Sequence, residues 1–349
     1  MFLSWKSRAA PRWRAGDWVE VRSEDAILRS LSSDGTVENM PLMPEMLKFC
    51  GRRFRISAIA HKTCDPAHKT GGRKLMNAVH LEGLRCDGAE HGGCQAACLL
   101  FWKTDWLKPA SKKESAPEPS VQAGLSRQAL ELTTARTDGA GRRIYSCQAT
   151  RLVEATQPLQ WWDLRQYVLD LTTGNVALRH MLRVLVLSWA AALTRLGFGY
   201  RAATGIYDRI HRLLMRRPAP KVQGIIPVGQ PTPTADLRLQ AGEEIRVKTN
   251  AAILSTLNQA GNNRGMWFGD EMVPYCGGTY RVMQRVERII NEVTGEMMQM
   301  KSPCITLDGV VCNSVYSRSR LFCPRAITPY WREVWLERVD PRRDGGHAS

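Results

Sequence analysis

The chain of 349 residues predicts a β-rich α+β fold: two copies of one small barrel module, joined by a hairpin and a basic helical insert. Three observations carry this. First, "RAGDWVEVRSEDAILRSL" from Arg14 returns as "QAGEEIRVKTNAAILSTL" from Gln240, at a constant offset of 226 that sets Gly16 on Gly242 and Ile27 on Ile253. Second, each copy opens with period-two alternation and continues into a long hairpin. Third, a chain 44% apolar and 23% charged has enough apolar surface to bury a core.

The elements follow in order. Residues 1–15 form an N-terminal tail without an apolar run long enough for a signal-peptide core, which leads to the expectation of a cytoplasmic protein. Copy one spans 16–108. "DWVEVRS" is its first strand and Ser23 caps a short helix. Its hairpin runs from "RFRISAIAHKTC" to "KLMNAVHLEGL", turning at "DPAHKTGG". A Pro/Ser/Lys linker covers 109–127. Residues 128–220 hold a hairpin around Asp138 and Gly139, then the helical insert. A second linker covers 221–240. Copy two spans 241–339, with a hairpin from "TYRVMQRVERII" to "MMQMKSPCITLDGVV" turning at "NEVTG", and 340–349 is a tail expected to be disordered.

The offset persists. Glu45 and Met46 fall on Glu271 and Met272, "FCGRRFR" on "YCGGTYR", and Leu81, Gly83 and Cys86 on Leu307, Gly309 and Cys312. Three residues then enter copy two, so that Cys94, Trp102 and Trp106 fall on Cys323, Trp331 and Trp335. Closing the strands on themselves would remove their exposed edges. "GDWVEVRS" also resembles the first strand of SH3-like and KOW-type barrels.

In combination, "PEMLKFCG", "NAVHLEGLRCDG", "HGGCQAAC", "SCQAT", "WWDLRQYV", "VERII" and "FCPRAITPYWREVWLERV" resemble a bacterial protein family built on a duplicated Cys-rich module, with no assigned activity. The resemblance runs from Gly16 to Val339. It implies a cytoplasmic bacterial protein and brings no catalytic residue.

Ten cysteines in a reducing compartment read as metal ligands, buried apolar groups or reactive thiols. Three recur: Cys50 with Cys276, Cys86 with Cys312, and Cys94 with Cys323. Such loop and strand-end thiolates can converge on tetrahedral zinc. A fourth ligand in copy one would be Cys64, Cys98, His80, His91 or Cys147, and in copy two Cys304, which matches Ala78. No CxxC occurs, and the wide spacing ranks iron–sulfur ligation below zinc. An open three-ligand site in copy one, with His80 or His91 as acid/base, would make a metal-dependent modifying enzyme.

A net charge of +16 favours anionic partners. Residues 175–217 carry Arg179, Arg183, Arg195, Arg201, Arg209, Arg212, Arg216 and Arg217 beside Leu178, Leu182, Leu185, Trp189 and Leu193 at helical spacing. This predicts an amphipathic insert for an anionic membrane surface or an acidic protein partner, peripheral at the inner membrane surface. Nucleic acid is the third anionic class, without an RNP aromatic motif or helix-turn-helix signature to support it. The paired tryptophans 102/106 and 331/335 read as core, and Trp161–Trp162 as an interfacial anchor or packing. Phosphate-loop and serine-nucleophile patterns are absent from the sequence.

Overall fold

A computed structural model describes residues 13–110, 124–194 and 200–339. Residues 1–12 of the expected N-terminal tail, the tail at 340–349, most of the 109–127 linker, Arg195 and the side chain of Arg201 lie outside the described residues, while Trp13 of that tail is buried in the first core and Ala15 N donates to Thr173 O.

The first sheet unit starts with β1 (Trp18–Val21), whose Val19 and Val21 are buried while Trp18 faces out. Helix α1 (Glu24–Ser30) is capped by Ser23, whose hydroxyl accepts from Ala26 N, and it buries Ile27 and Leu28. β2 (Arg53–Ile59), β3 (Lys62–Asp65), β4 (Gly71–Lys74) and β5 (Ala78–Leu81) follow, then β6 (Trp102–Lys103) and β7 (Leu107–Pro109). The main sheet has the order β6-β5-β2-β1-β7, with every pairing antiparallel. Its two edge strands are separated in sequence only by the 3-10 turn Thr104–Trp106, so the chain crosses from one edge to the other and curls the sheet into a half-barrel. Trp102 and Trp106 are fully buried there among Val19, Val21, Ile56 and Leu81.

The copy-one hairpin divides. Ile59 pairs with Val79, but Lys62 pairs with Lys74, so the register slips where Asn77 takes a left-handed φ of 50°. The outer half, β3 and β4, leaves the main sheet and takes Gln157–Pro158 as its third strand.

The insert holds the expected hairpin, Ala135–Thr137 with Arg143–Tyr145, whose turn is held by Asp138 Oδ1 accepting from Ala140 N and Arg142 N. Three helices follow: α2 (Arg165–Thr172), α3 (Leu178–Leu193) and α4 (Tyr200–Met215). Met181 and Val184 of α3 pack with Val315, Leu321 and Phe322.

The second unit comprises β8 (Glu244–Val247), helix α5 (Asn250–Leu254) capped by Thr249, β9 (Thr279–Ile290), β10 (Met297–Leu307) and β11 (Leu336–Arg338), in the sheet order β10-β9-β8-β11. Glu244 pairs with Arg281 as Trp18 pairs with Arg55, and Val282 with Leu307 as Ile56 pairs with Leu81. Val247 pairs with Leu336 as Val21 pairs with Leu107, and Ile305 bridges to Trp331 as Val79 pairs with Trp102. Trp331 and Trp335 are fully buried around Phe268. Among the described residues no ladder joins β6 to β7 or β10 to β11, so each sheet is curled and open along that edge.

Gln95 fastens the units together. Its backbone N donates to Arg288 O, its Nε2 donates to Arg285 O, and its Oε1 accepts from Glu287 N.

Candidate functional site

The outer hairpin β3–β4 reaches the second unit. Both faces of β3 are covered, so Lys62 is buried, and its ammonium lies 2.5 Å from Asp170 Oδ2 of α2 and 2.8 Å from Leu321 O. Tyr167 and Phe322 present ring faces to the same ammonium. His61 Nε2 stands 3.3 Å from Asp170 Oδ1. Burial pushes the Asp170 carboxyl up to about 6, lowers Lys62, and holds the His61 imidazole near 4, where the Lys62 charge adds to the effect.

Two residues along β3, Cys64 meets Cys323. Arg325 Nη1 donates to Cys64 O at 2.9 Å while its Nη2 donates to Glu292 Oε1 and Oε2, which sets the segment carrying Cys323 against β3. The neighbouring Cys323 thiol holds Cys64 below its usual value against burial, helped by Arg325 and Arg320, while the Cys64 thiol and burial raise Cys323.

Cys323 also lines a cleft of ≈ 560 Å³ between the two units and the insert, together with His180, Arg217, Glu271, Cys312 and Tyr316. Glu271 accepts from Tyr316 N at 2.7 Å, and burial raises its carboxyl.

The other expected ligands are dispersed. Cys50 and Cys276 end 3-10 turns, and burial raises both thiols to about 11. Cys86 donates to Glu45 Oε1 at 3.1 Å, and burial next to that carboxylate raises its thiol. His91 places Nδ1 3.1 Å from Glu45 Oε1 and Nε2 3.1 Å from Ser146 O. Burial works to raise Glu45, but His91, the local backbone N–H and the Cys86 thiol together hold the carboxyl below its ordinary value. Cys94 Sγ accepts from Ile290 N at 3.3 Å. Burial raises Cys98 and Cys304 to about 12 and also raises Cys147 and Cys312. His80 is fully buried with Nδ1 2.9 Å from Leu100 O, and burial lowers its pKa to about 4.

Among the described residues, no group of three or more His, Cys, Asp or Glu could hold a metal ion. The expectation that a recurring trio shares zinc therefore lacks a ligand set. The recurring cysteines occupy matching places in the sequence repeat, but Cys86 meets Glu45, Cys94 meets Ile290 N and Cys323 meets Cys64. Sequence reasoning missed Lys62, Asp170 and Arg325 altogether. Glu45 and Glu271 carry a signal, since an acidic residue recurs inside two apolar segments, "PEML" and "DEMV".

The insert presents a second feature. Leu178, Leu182, Val186, Trp189 and Leu193 of α3 are all at least half exposed, Trp189 at 73%, and their spacing of three and four sets them on one helical face. Leu185, expected within that stripe, packs partly against the second unit instead. Arg179 and Arg183 are exposed beside it. On α4, Ile206 and Leu213 are exposed, as are Arg209, Arg212 and Arg216. Trp161, Trp162, Leu164 and Val168, on and before α2, are exposed as well. Among the described residues no helix is long and apolar enough to cross a membrane.

Comparison of the chain with protein-family models, with curated proteins and with solved structures finds no match.

Proposed function

We propose that the protein is a binding module that docks on an anionic membrane surface through α3, at the inner face of the membrane, with the two sheet units forming its body. The carrying observation is the exposed five-residue apolar face of α3, flanked by arginines. Contiguous exposed apolar surface of this kind marks interaction sites. Residues 175–217 hold eight arginines against the single acidic Asp208, so the charge that frames the face is cationic. An α-helix of 16 residues is about 24 Å long, short of the roughly 30 Å hydrocarbon core, so α3 lies along a membrane surface rather than across it. Its opposite face is already packed on Val315, Leu321 and Phe322, which means the docking helix is ordered before it binds.

The body is read as a tandem duplication of an SH3-like module. In support, the pairings of β8, β9, β10 and β11 repeat those of β1, β2, β5 and β7 at the offsets 226 and 229, and in each copy a 3-10 turn precedes the last strand. The zinc and metal-enzyme readings have no grouped ligands among the described residues to support them.

Vesicle co-sedimentation tests the reading. Binding should require anionic lipid and weaken as salt shortens the Debye length. Trp189→Glu and Leu182→Glu should each abolish it, because each removes about 1.5–3 kcal/mol of apolar burial and adds a repelled charge. Equal absence of sedimentation with neutral and anionic vesicles would defeat the lipid reading and leave an acidic protein or nucleic acid as the partner of this face, and equal sedimentation with both would defeat its anionic requirement.

A further inference from the structure

Cys64 on β3 and Cys323 in the second unit lie at the junction where these two segments are hydrogen-bonded to each other, and both are free thiols. Their approach is held on both sides in sequence. Lys62 Nζ donates to Leu321 O at 2.8 Å, and Arg325 Nη1 donates to Cys64 O at 2.9 Å, so β3 and the segment 321–325 are fastened at either end of the pair. The backbones are close on the neighbouring strand too: a Cβ on Gly72 would lie 2.9 Å from Ser319 O. Arg325, Arg320 and Lys62 surround the sulfurs with positive charge, which favours a thiolate. Cys323 opens onto the ≈ 560 Å³ cleft, giving a small molecule a route to the pair.

The molecule supplies its own comparison. Position 290 matches position 64 (290 − 226), and Cys94 matches Cys323 (94 + 229). Cys94 Sγ accepts from Ile290 N, so the matching cysteine also lies against the hairpin of the other unit, and there an isoleucine stands where Cys64 would be. The dithiol thus exists at one of two matching junctions.

We propose that Cys64 and Cys323 form a peroxide-reactive dithiol site that closes into a disulfide between the two sheet units. The Cys64 thiolate attacks one oxygen of hydrogen peroxide. The O–O bond breaks, Cys64 becomes a sulfenic acid, and the departing hydroxide takes the proton that Cys64 gave up, leaving as water. Cys323 sulfur then attacks the Cys64 sulfur, the S–O bond breaks, and the hydroxide leaves as a second water with the Cys323 proton. Two thiols are oxidised by two electrons and one peroxide is reduced to two waters.

The test is peroxide titration of the full chain, alkylation, and non-reducing tryptic mass spectrometry. Peptide 63–69 linked to peptide 321–325 should be the dominant crosslink and should vanish on reduction, while Cys94 stays outside any disulfide. In Cys323→Ser, Cys64 should accumulate as a sulfenic acid trapped by dimedone, and Cys64→Ser should leave Cys323 unmodified at the same peroxide dose. The wild-type crosslink needs no variant to fold, so it stands as an independent readout. Both cysteines remaining fully alkylatable after peroxide, or Cys64 linking to Cys312 instead, would overturn the proposal.

Discussion

Replacing Asp170 with asparagine isolates the buried Lys62 ammonium that joins the first unit, α2 and the second unit. At 2.5 Å and an effective dielectric of about 20, the attraction between the two charges is roughly 7 kcal/mol. Burying both ions costs several kcal/mol each, so the intact pair contributes little net stability, as the upward shift of Asp170 and the downward shift of Lys62 both indicate. The neutral amide removes the attraction and leaves the cost for Lys62. Asp170→Asn should therefore lose about 3–5 kcal/mol near neutral pH, read by urea unfolding. The sign with pH is definite. In that variant the folded amine lies below its unfolded value, so the unfolded state binds more protons, and stability should rise with pH until the unfolded lysine itself titrates. Lys62→Met with Asp170→Leu removes both charges and should cost less than Asp170→Asn alone. A loss below about 1 kcal/mol for Asp170→Asn, or a double variant as damaged as the sum of its singles, would refute the buried-pair argument.

Two further outcomes can be checked by denaturation. Gly72→Ala should destabilise by about 1–3 kcal/mol, because its Cβ would meet the backbone oxygens Ser319 O at 2.9 Å and Leu159 O at 3.0 Å, whereas Gly139→Ala, with nothing within 4 Å, should stay within about 0.5 kcal/mol of the parent. Glu45 is held below its usual carboxyl range, so its contribution is complete above the unfolded carboxyl pKa and is lost as pH falls through the folded one; Glu45→Gln should flatten the acid limb of the stability profile between about pH 2 and pH 5.

The strands are legible in the sequence where local pattern and tertiary role agree. Val19 and Val21 alternate with exposed or half-buried neighbours, and their counterparts Ile245 and Val247 do the same, so period two is enough. The tryptophans are legible for a similar reason, since four large apolar groups at matched spacing need a core. The candidate site is not legible, and the cause is geometric. An internal repeat reports on contacts made inside each copy. Lys62 with Asp170, and Cys64 with Cys323, are contacts between parts that no periodicity relates. The matched offset sets Cys64 and Cys323 in separate segments, and hydrogen bonds from Lys62 and Arg325 across the junction hold those segments together.

The same comparison explains why the cleft lies on one side of the junction. Glu45 and Glu271 occupy matching positions, each beside a matching thiol, Cys86 or Cys312. In the first unit Oε1 of the carboxylate meets the Cys86 thiol and the buried ring of His91, which is itself held by Ser146 O. In the second unit three extra residues lengthen the loop, and Glu271 is met by the backbone N–H of Tyr316, whose ring turns away to stack on His211. A backbone donor needs the loop to wrap around the carboxylate instead of covering it, and this leaves Glu271 and Cys312 as cleft walls. Cys323 follows from the same lengthened loop. It is carried to the hairpin of the first unit just as Cys94 is carried to the hairpin of the second. The two junctions bring matching segments together through different hydrogen bonds, Gln95 at one and Lys62 with Arg325 at the other, and Cys64 against Ile290 sets a thiol pair only at the junction that opens on the cleft.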